Sequence, residues 1–185
     1  MNSEAQITDC FGYEGIKRVL ISEDEIKAAV AAEGRRITEE YRGKPLMIVG
    51  LLKGSFIFAA DLFRAVRIPC EMGFMAVSSY GSGSVSRGSV DITMDIGRDI
   101  SGYHVIIAED IIDTGHTLAE VCGILRQRSP LSLKVVTLLD KPERREVDFK
   151  ADVSLFTIPD AFVVGCGLDY GEKYRNLPFI AEVEL

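Results

Sequence analysis

Apolar residues recur along this chain at two spacings, and the alternation of the two predicts its architecture. From residue 22 to 41 they follow a helical period. Ile26, Ala29, Val30, Ile37 and Tyr41 share one face, behind a Ser22 and Glu25 pair that makes a capping box. Residues 46–52 form a short apolar run with β-branched members between Pro45 and Gly54, which suits a buried strand. Phe56, Ala59, Ala60 and Phe63 resume helical spacing at once, so the order is strand, turn, helix. A second unit repeats it: residues 105–108 read as strand, Leu118, Val121, Cys122 and Leu125 mark one helix face, and residues 134–139 return to strand. Such alternation predicts an α/β fold with parallel pairing through crossover helices, whose ligands bind beyond the carboxyl ends of the strands.

One segment breaks the pattern. Nine of the twelve residues from 78 to 89 are Ser or Gly, so the stretch packs little and reads as a flexible loop over a site. Neither flank opens a new compositional regime, which argues against an interdomain linker. A length of 185 residues with 47% hydrophobic content supplies one well-filled core, and we expect a single domain over residues 1–185.

Charge narrows the partners. With 21 Lys and Arg against 28 Asp and Glu, the net charge of -7 leaves no broad basic field for a nucleic-acid backbone. An anionic small molecule stays open to an acidic protein if backbone amides, a few placed cations or a divalent metal handle its charge locally. Cys10, Cys70, Cys122 and Cys166 form no CxxC pair and read as reduced core residues of a cytoplasmic protein. No basic segment followed by an apolar run opens the sequence, and no apolar stretch approaches the ~18 residues of a membrane span, so neither export nor a membrane is expected.

The stretch HVIIAEDIIDTGHTL, residues 104–118, carries the chemistry. An apolar strand leads into the adjacent carboxylates Glu109 and Asp110, then Asp113, and Thr114, Gly115, His116 and Thr117 open a helix. A helix N-terminus offers free amides and a positive dipole end to phosphate, and glycine lets the chain approach closely. Thr114 and Thr117 add hydroxyl donors. A lone D-T-G describes only a helix start with acids nearby, but two like charges at a strand end are mutually unfavourable and call for hydroxyl donors or a metal.

This run resembles the phosphoribosyl pyrophosphate motif of the type I phosphoribosyltransferases: apolar strand, acidic pair, D-T-G-x-T loop. The resemblance implies a mainly parallel central sheet flanked by helices, a small hood from the N-terminal segment and about residues 155–185, and a flexible flap. It also implies that residues 113–117 wrap the 5-phosphate while Glu109 and Asp110 lie under the ribose hydroxyls. Four further matches, in the same order along the chain, resemble the hypoxanthine-guanine branch. Leu51-Leu52-Lys53-Gly54 is similar to its pyrophosphate loop, with an unusual peptide before the lysine, and Ser79-Tyr80 to the start of its flap. Lys141, in Leu-Leu-Asp-Lys-Pro, matches the lysine that faces the purine 6-oxygen. A donor-only ammonium favours a 6-oxo base over adenine. Phe162, Val163 and Asp169 match the base pocket, Asp169 with a second magnesium held through water, and Arg175 the residue that steadies pyrophosphate. Taken alone, Phe162 reads as core and Lys53, Asp169 and Arg175 as surface charges.

What the resemblance implies is transfer of a phosphoribosyl group from phosphoribosyl pyrophosphate to hypoxanthine or guanine, with xanthine left open. Glu109, Asp110 and Asp169 would hold Mg²⁺, Asp113 would act as general base, and the assembly would be a homodimer or homotetramer. His116 occupies the variable loop position and receives no catalytic role, and His104 opens a strand. Rival readings lack their motifs: no G-x-x-x-x-G-K-[ST] and no G-x-S-x-G occurs. A sensor of the same fold that binds nucleic acid is opposed by the charge and by the paired Lys141 and Phe162 matches.

Overall fold

The computed structural model describes residues 13–79 and 90–184. A six-stranded sheet has the order β4-β3-β2-β5-β6-β7, comprising β2 (Leu46–Leu52), β3 (Glu71–Ser79), β4 (Val90–Met94), β5 (His104–Ile112), β6 (Ser132–Asp140) and β7 (Val153–Thr157). All neighbours pair parallel except β4, which runs antiparallel to β3 at the edge. The α/β expectation with a mainly parallel sheet holds. Ser79 lies in β3 opposite Val90, and Tyr80, with the rest of the predicted flap through residue 89, lies outside the described residues.

Strand alternation builds the core on both faces. In β2, Leu46 and Ile48 join Ile106 and Ala108 of β5 under α1 (Glu23–Glu40) and α2 (Phe56–Ala65). Met47, Val49 and Leu51 join Val105 and Ile107 on the other face, against Leu118, Val121, Cys122 and Leu125 of α3 (His116–Gln127). A strand covered on both faces needs an unbroken apolar run, which is why residues 46–52 read so clearly. Helix α1 starts at the predicted capping box: Ser22 Oγ accepts from Glu25 N at 3.3 Å, and Glu25 Oε2 from Ser22 N at 2.8 Å. Gly34 lets α1 press on α2, since a Cβ there would stand 2.4 Å from Ala65 Cβ.

A second, three-stranded antiparallel sheet joins β1 (Ile16–Ile21), β9 (Ile180–Val183) and β8 (Val163–Val164) around Val164, Leu177, Phe179, Ala181 and Val183. Its C-terminal strands begin at Val163, and residues 153–157 belong to the larger sheet. Cys122 and Cys166 are buried and Cys70 is half-buried rather than in the core, all three without a disulfide. Cys10 lies outside the described residues. Among the described residues no helix is long and apolar enough to cross a membrane.

Candidate active site

Strand order reverses between β2 and β5: from β2 the chain adds strands on one side, and from β5 on the other. The crevice beyond the carboxyl ends at such a switch point is where open α/β sheets bind ligands. Two predicted motifs end there side by side, Lys53-Gly54 after β2 and Glu109-Asp110 within β5. The peptide between Leu52 and Lys53, at the position where an unusual peptide was expected, is cis.

Strand β5 runs four residues beyond the predicted end at Ala108. β6 continues the ladder past it, pairing Glu109 with Thr137 and Ile112 with Asp140. The acidic pair is therefore inside a strand, and period-2 alternation sends the two carboxylates to opposite faces. Glu109 turns to the α3 side, and its Oε2 is buried with no hydrogen-bond partner among the described residues. Burial first, and the Asp110 charge second, push its carboxyl well above the usual range. Asp110 turns to the Gly54 side, where a Cβ on Gly54 would lie 1.9 Å from Asp110 Oδ2. Burial lifts Asp110 to about 6, against hydrogen bonds from backbone amides and the pull of Arg175.

The loop after β5 enters α3 through Gly115, at φ 90°, with no side-chain cap on the helix. Its first amides are thus open to an anion. Asp113, Thr114, Gly115 and Thr117 line a cleft of about 140 Å³ that Glu109 closes from below. The loop is clamped from behind by the segment after β6. Arg145 Nη1 donates to Asp113 O at 3.1 Å, Glu146 N to Thr114 O at 3.0 Å, and His116 Nε2 lies 2.9 Å from Glu146 Oε2. Arg145 also pairs with Asp140.

Across the crevice, the 165–175 loop meets the Lys53 turn. A Cβ on Gly167 would stand 1.9 Å from Gly54 O. Arg175 Nη1 donates to Gly167 O at 2.8 Å, and its Nη2 pairs with Asp169 Oδ1 at 2.8 Å. Asp169 Oδ2 accepts from Glu172 N at 2.9 Å, and Lys53 Nζ lies 3.2 Å from Glu172 Oε2. Lys141 is only 7% exposed, and its ammonium has no ion pair or hydrogen bond among the described residues. Phe162 is 41% exposed, with Tyr170 edge-on at 5.6 Å, so it is not the core residue its type suggests. Val163 starts β8, buried opposite Glu182.

The sequence signature of the phosphoribosyl transferase domain matches residues 19–171. The chain belongs to this phosphoribosyltransferase family. It is 53% identical to the hypoxanthine phosphoribosyltransferase of Salmonella typhimurium over 90% of this chain and 95% of that one. With the hypoxanthine-guanine phosphoribosyltransferase of Streptococcus pneumoniae it shares 50% identity, over 89% and 92% of the two chains. Its fold is similar to the crystal structure of a Staphylococcus aureus hypoxanthine phosphoribosyltransferase, with a TM-score of 0.88 at 43% identity, covering 100% of this chain and 96% of that one.

Within this phosphoribosyltransferase fold the Lys53 turn, Asp110 and the 165–175 loop meet, Glu109 joins the loop that opens α3, and the Lys141 amide donates to Ile112 O at the end of β5. Three side chains near them were missed. Arg144 Nε lies 2.7 Å from Asp113 Oδ1, Arg145 clamps the loop that opens α3, and Glu172 stands between Lys53 and Arg175. Two consecutive arginines just after the Lys141 turn were the only signal for the first two. Glu172 carried none.

Proposed function

We infer that this chain transfers the phosphoribosyl group of phosphoribosyl pyrophosphate to hypoxanthine or guanine, giving IMP or GMP and pyrophosphate in purine salvage. The observation that carries the reading is a pair of unlike half-sites at one switch point. On one side an uncapped helix start lies above a buried, unpartnered carboxylate. On the other are an exposed aromatic ring, Phe162, and Lys141, a 7% exposed lysine with no ion pair among the described residues. Phosphate fits the first and a 6-oxopurine the second. Xanthine is a third candidate base.

Asp113, Thr114, Gly115, His116 and Thr117 surround the 5-phosphate, and Glu109 and Asp110 accept from the ribose hydroxyls. The orphaned Glu109 oxygen supports this, because a buried acceptor without a donor costs about 1 to 3 kcal/mol until one arrives. Lys53 and Gly54, with Arg175 behind them, meet the pyrophosphate. Lys141 donates to the purine 6-oxygen, Phe162 stacks on the ring, and Val163 offers backbone groups to it. Ser79 and Tyr80 begin the flap that excludes water from the activated sugar.

Two buried carboxylates and Asp169 suit hard cations that take only part of their ligands from protein, so Glu109 and Asp110 would offer oxygens to Mg²⁺ at the sugar and Asp169 would hold a second ion through water. Among the described residues no three such side chains form a cage, which leaves the other ligands to substrate and water. When bound, the ion supplies charge neutralisation to the leaving pyrophosphate. As the anomeric bond stretches, positive charge grows on the sugar ring, and the carboxylates beneath it stabilise that charge. Asp113, half-exposed above the cleft, takes the proton from the imidazole ring of the base. The same reading carries a cytoplasmic location and an assembly of two or four copies.

The direct test mixes protein, magnesium and phosphoribosyl pyrophosphate with each base in turn and follows nucleotide formation by ultraviolet absorbance. Hypoxanthine and guanine turn over; adenine as sole substrate overturns the assignment. Asp113→Asn should keep the fold and lower turnover by roughly 10² to 10⁴.

A further inference from the structure

Asp113 is not alone above its cleft. Arg144, the last residue of the 3-10 turn Pro142–Arg144, places Nε 2.7 Å from Asp113 Oδ1 and Nη1 3.5 Å from Asp160 Oδ1. Asp160 lies two residues before Phe162, and Arg144 three after Lys141. One guanidinium thus ties the phosphate-loop carboxylate to the rim of the base pocket. Its neighbour Arg145 binds the same aspartate through the main chain, at Asp113 O. Between them the two arginines hold the backbone of this residue by a hydrogen bond and its side chain by an ion pair, in which Oδ1 is buried but takes no aligned hydrogen bond among the described residues.

Stability does not account for Arg144. Its side chain is 46% exposed and that of Asp113 42%, and although Oδ1 itself is buried it takes no aligned hydrogen bond, so the ion pair contributes about 0 to 1 kcal/mol. Orientation does account for it. The terminal torsion of an aspartate is broad and nearly two-fold, so an untethered carboxylate offers either oxygen over a wide arc. The Arg144 charge turns the carboxylate so that Oδ1, itself buried, faces the guanidinium, which leaves Oδ2 without an ion pair or hydrogen bond among the described residues.

We propose that Arg144 is a positioning residue for the reaction: by holding Asp113 Oδ1 it leaves Oδ2 as the oxygen that receives the proton of the incoming base. In that step the N–H bond of the purine imidazole ring breaks and its proton passes to Oδ2. The electron pair stays on the ring, whose nitrogen pair forms the bond to the anomeric carbon. The bond from that carbon to pyrophosphate breaks with its electrons on the leaving oxygen. Oδ2 then releases the proton to solvent as product departs. This rests on Asp113 being the base, and deepens that assignment.

A double-mutant cycle tests it with steady-state kinetics on wild type, Arg144→Gln, Arg144→Lys, Asp113→Asn and the Arg144→Gln/Asp113→Asn pair. Misorienting a reacting group costs up to ~10²-fold, so Arg144→Gln should lower kcat roughly 10- to 100-fold while KM for phosphoribosyl pyrophosphate stays within about twofold. Arg144→Lys, which keeps a donor, should recover most of the loss. In the Asp113→Asn background Arg144→Gln should add nothing. An equal loss in both backgrounds, or turnover of Arg144→Gln at or above wild type beside an impaired Asp113→Asn, overturns the role of Arg144 and spares Asp113. Wild-type turnover in Asp113→Asn overturns both.

Discussion

Replacing Gly167 by alanine should disable the pyrophosphate side of the site without touching a charged group. Gly167 sits at φ +104°, and an added Cβ would meet the carbonyl oxygen of Gly54 at 1.9 Å. Carbon and oxygen approach no closer than ~3.3 Å, so one backbone must give way by roughly 1.4 Å. Gly54 has little room of its own, because a Cβ there would already lie 1.9 Å from Asp110 Oδ2. Alanine in such a conformation costs about 1 to 3 kcal/mol, and overpacking adds about as much again. At about 2 to 4 °C per kcal/mol for a chain of this size, Tm should fall by roughly 5 to 20 °C. The displaced turn should also raise KM for phosphoribosyl pyrophosphate about tenfold or more, because a 1 Å misplacement costs up to ~10²-fold. Gly171→Ala is the control. Its φ is +59°, a Cβ there meets nothing within 4 Å, and it should cost only about 1 to 2 kcal/mol. Differential scanning fluorimetry and steady-state kinetics on the two variants decide the matter. Equal melting temperatures, or an unchanged KM in Gly167→Ala, would refute the sandwich of Gly54 between Gly167 and Asp110.

Lys141→Met should lower kcat/KM for hypoxanthine roughly 10- to 100-fold and narrow its margin over adenine, with no fall in Tm, because the side chain has no ion pair or hydrogen bond among the described residues to lose and its apolar stem is replaced. A Tm drop of several degrees would mean that Lys141 is structural. Glu172→Gln should tighten pyrophosphate binding about two- to fivefold by calorimetry, since its exposed carboxylate stands where Lys53 and Arg175 would both meet an anion. Unchanged or weaker binding contradicts this. Asp110 predicts a pH dependence for the metal-free, substrate-free protein. Raised from 3.8 to about 6, it keeps in the folded state a proton that the unfolded chain has released, so its contribution to stability declines by up to ~3 kcal/mol as pH rises from about 4 to 6, then levels off. In chelator, Asp110→Asn should remove that part of the wild-type melting profile; an identical slope in both proteins would exclude it.

How much of this was legible depended on where each residue's partners lie along the chain. The capping box of α1 and the apolar run of β2 are local patterns, and both elements appear at the predicted place. The end of β5 was misplaced because Glu109 breaks the apolar run, whereas the ladder that prolongs the strand comes from β6, about 28 residues later. β8 has only two residues and exists through β9. Phe162 shows that residue type alone misleads: its exposure follows from the short strand behind it and the Tyr170 loop beside it. The charged residues fared worst. Glu172 is 119 positions from Lys53, and nothing local distinguishes it, or Arg144, from a solvated surface charge.

The acidic balance of the chain and the anionic substrate proposed for it meet at the switch point. Glu109 and Asp110 sit in the strand where burial disfavours their charge, and in the free protein their raised pKa values keep protons on them well above the ordinary carboxylate range. A fold selected for stability alone would place valine or isoleucine there, as at positions 105–107 of the same strand. The two acids are a stored cost of the kind found at functional sites. On the proposed reading, ribose hydroxyls and a divalent ion would relieve it, so binding would release protons and stabilise the fold in one step. The deficit of positive charge then works in favour of phosphate binding, provided that the phosphates arrive with their cation.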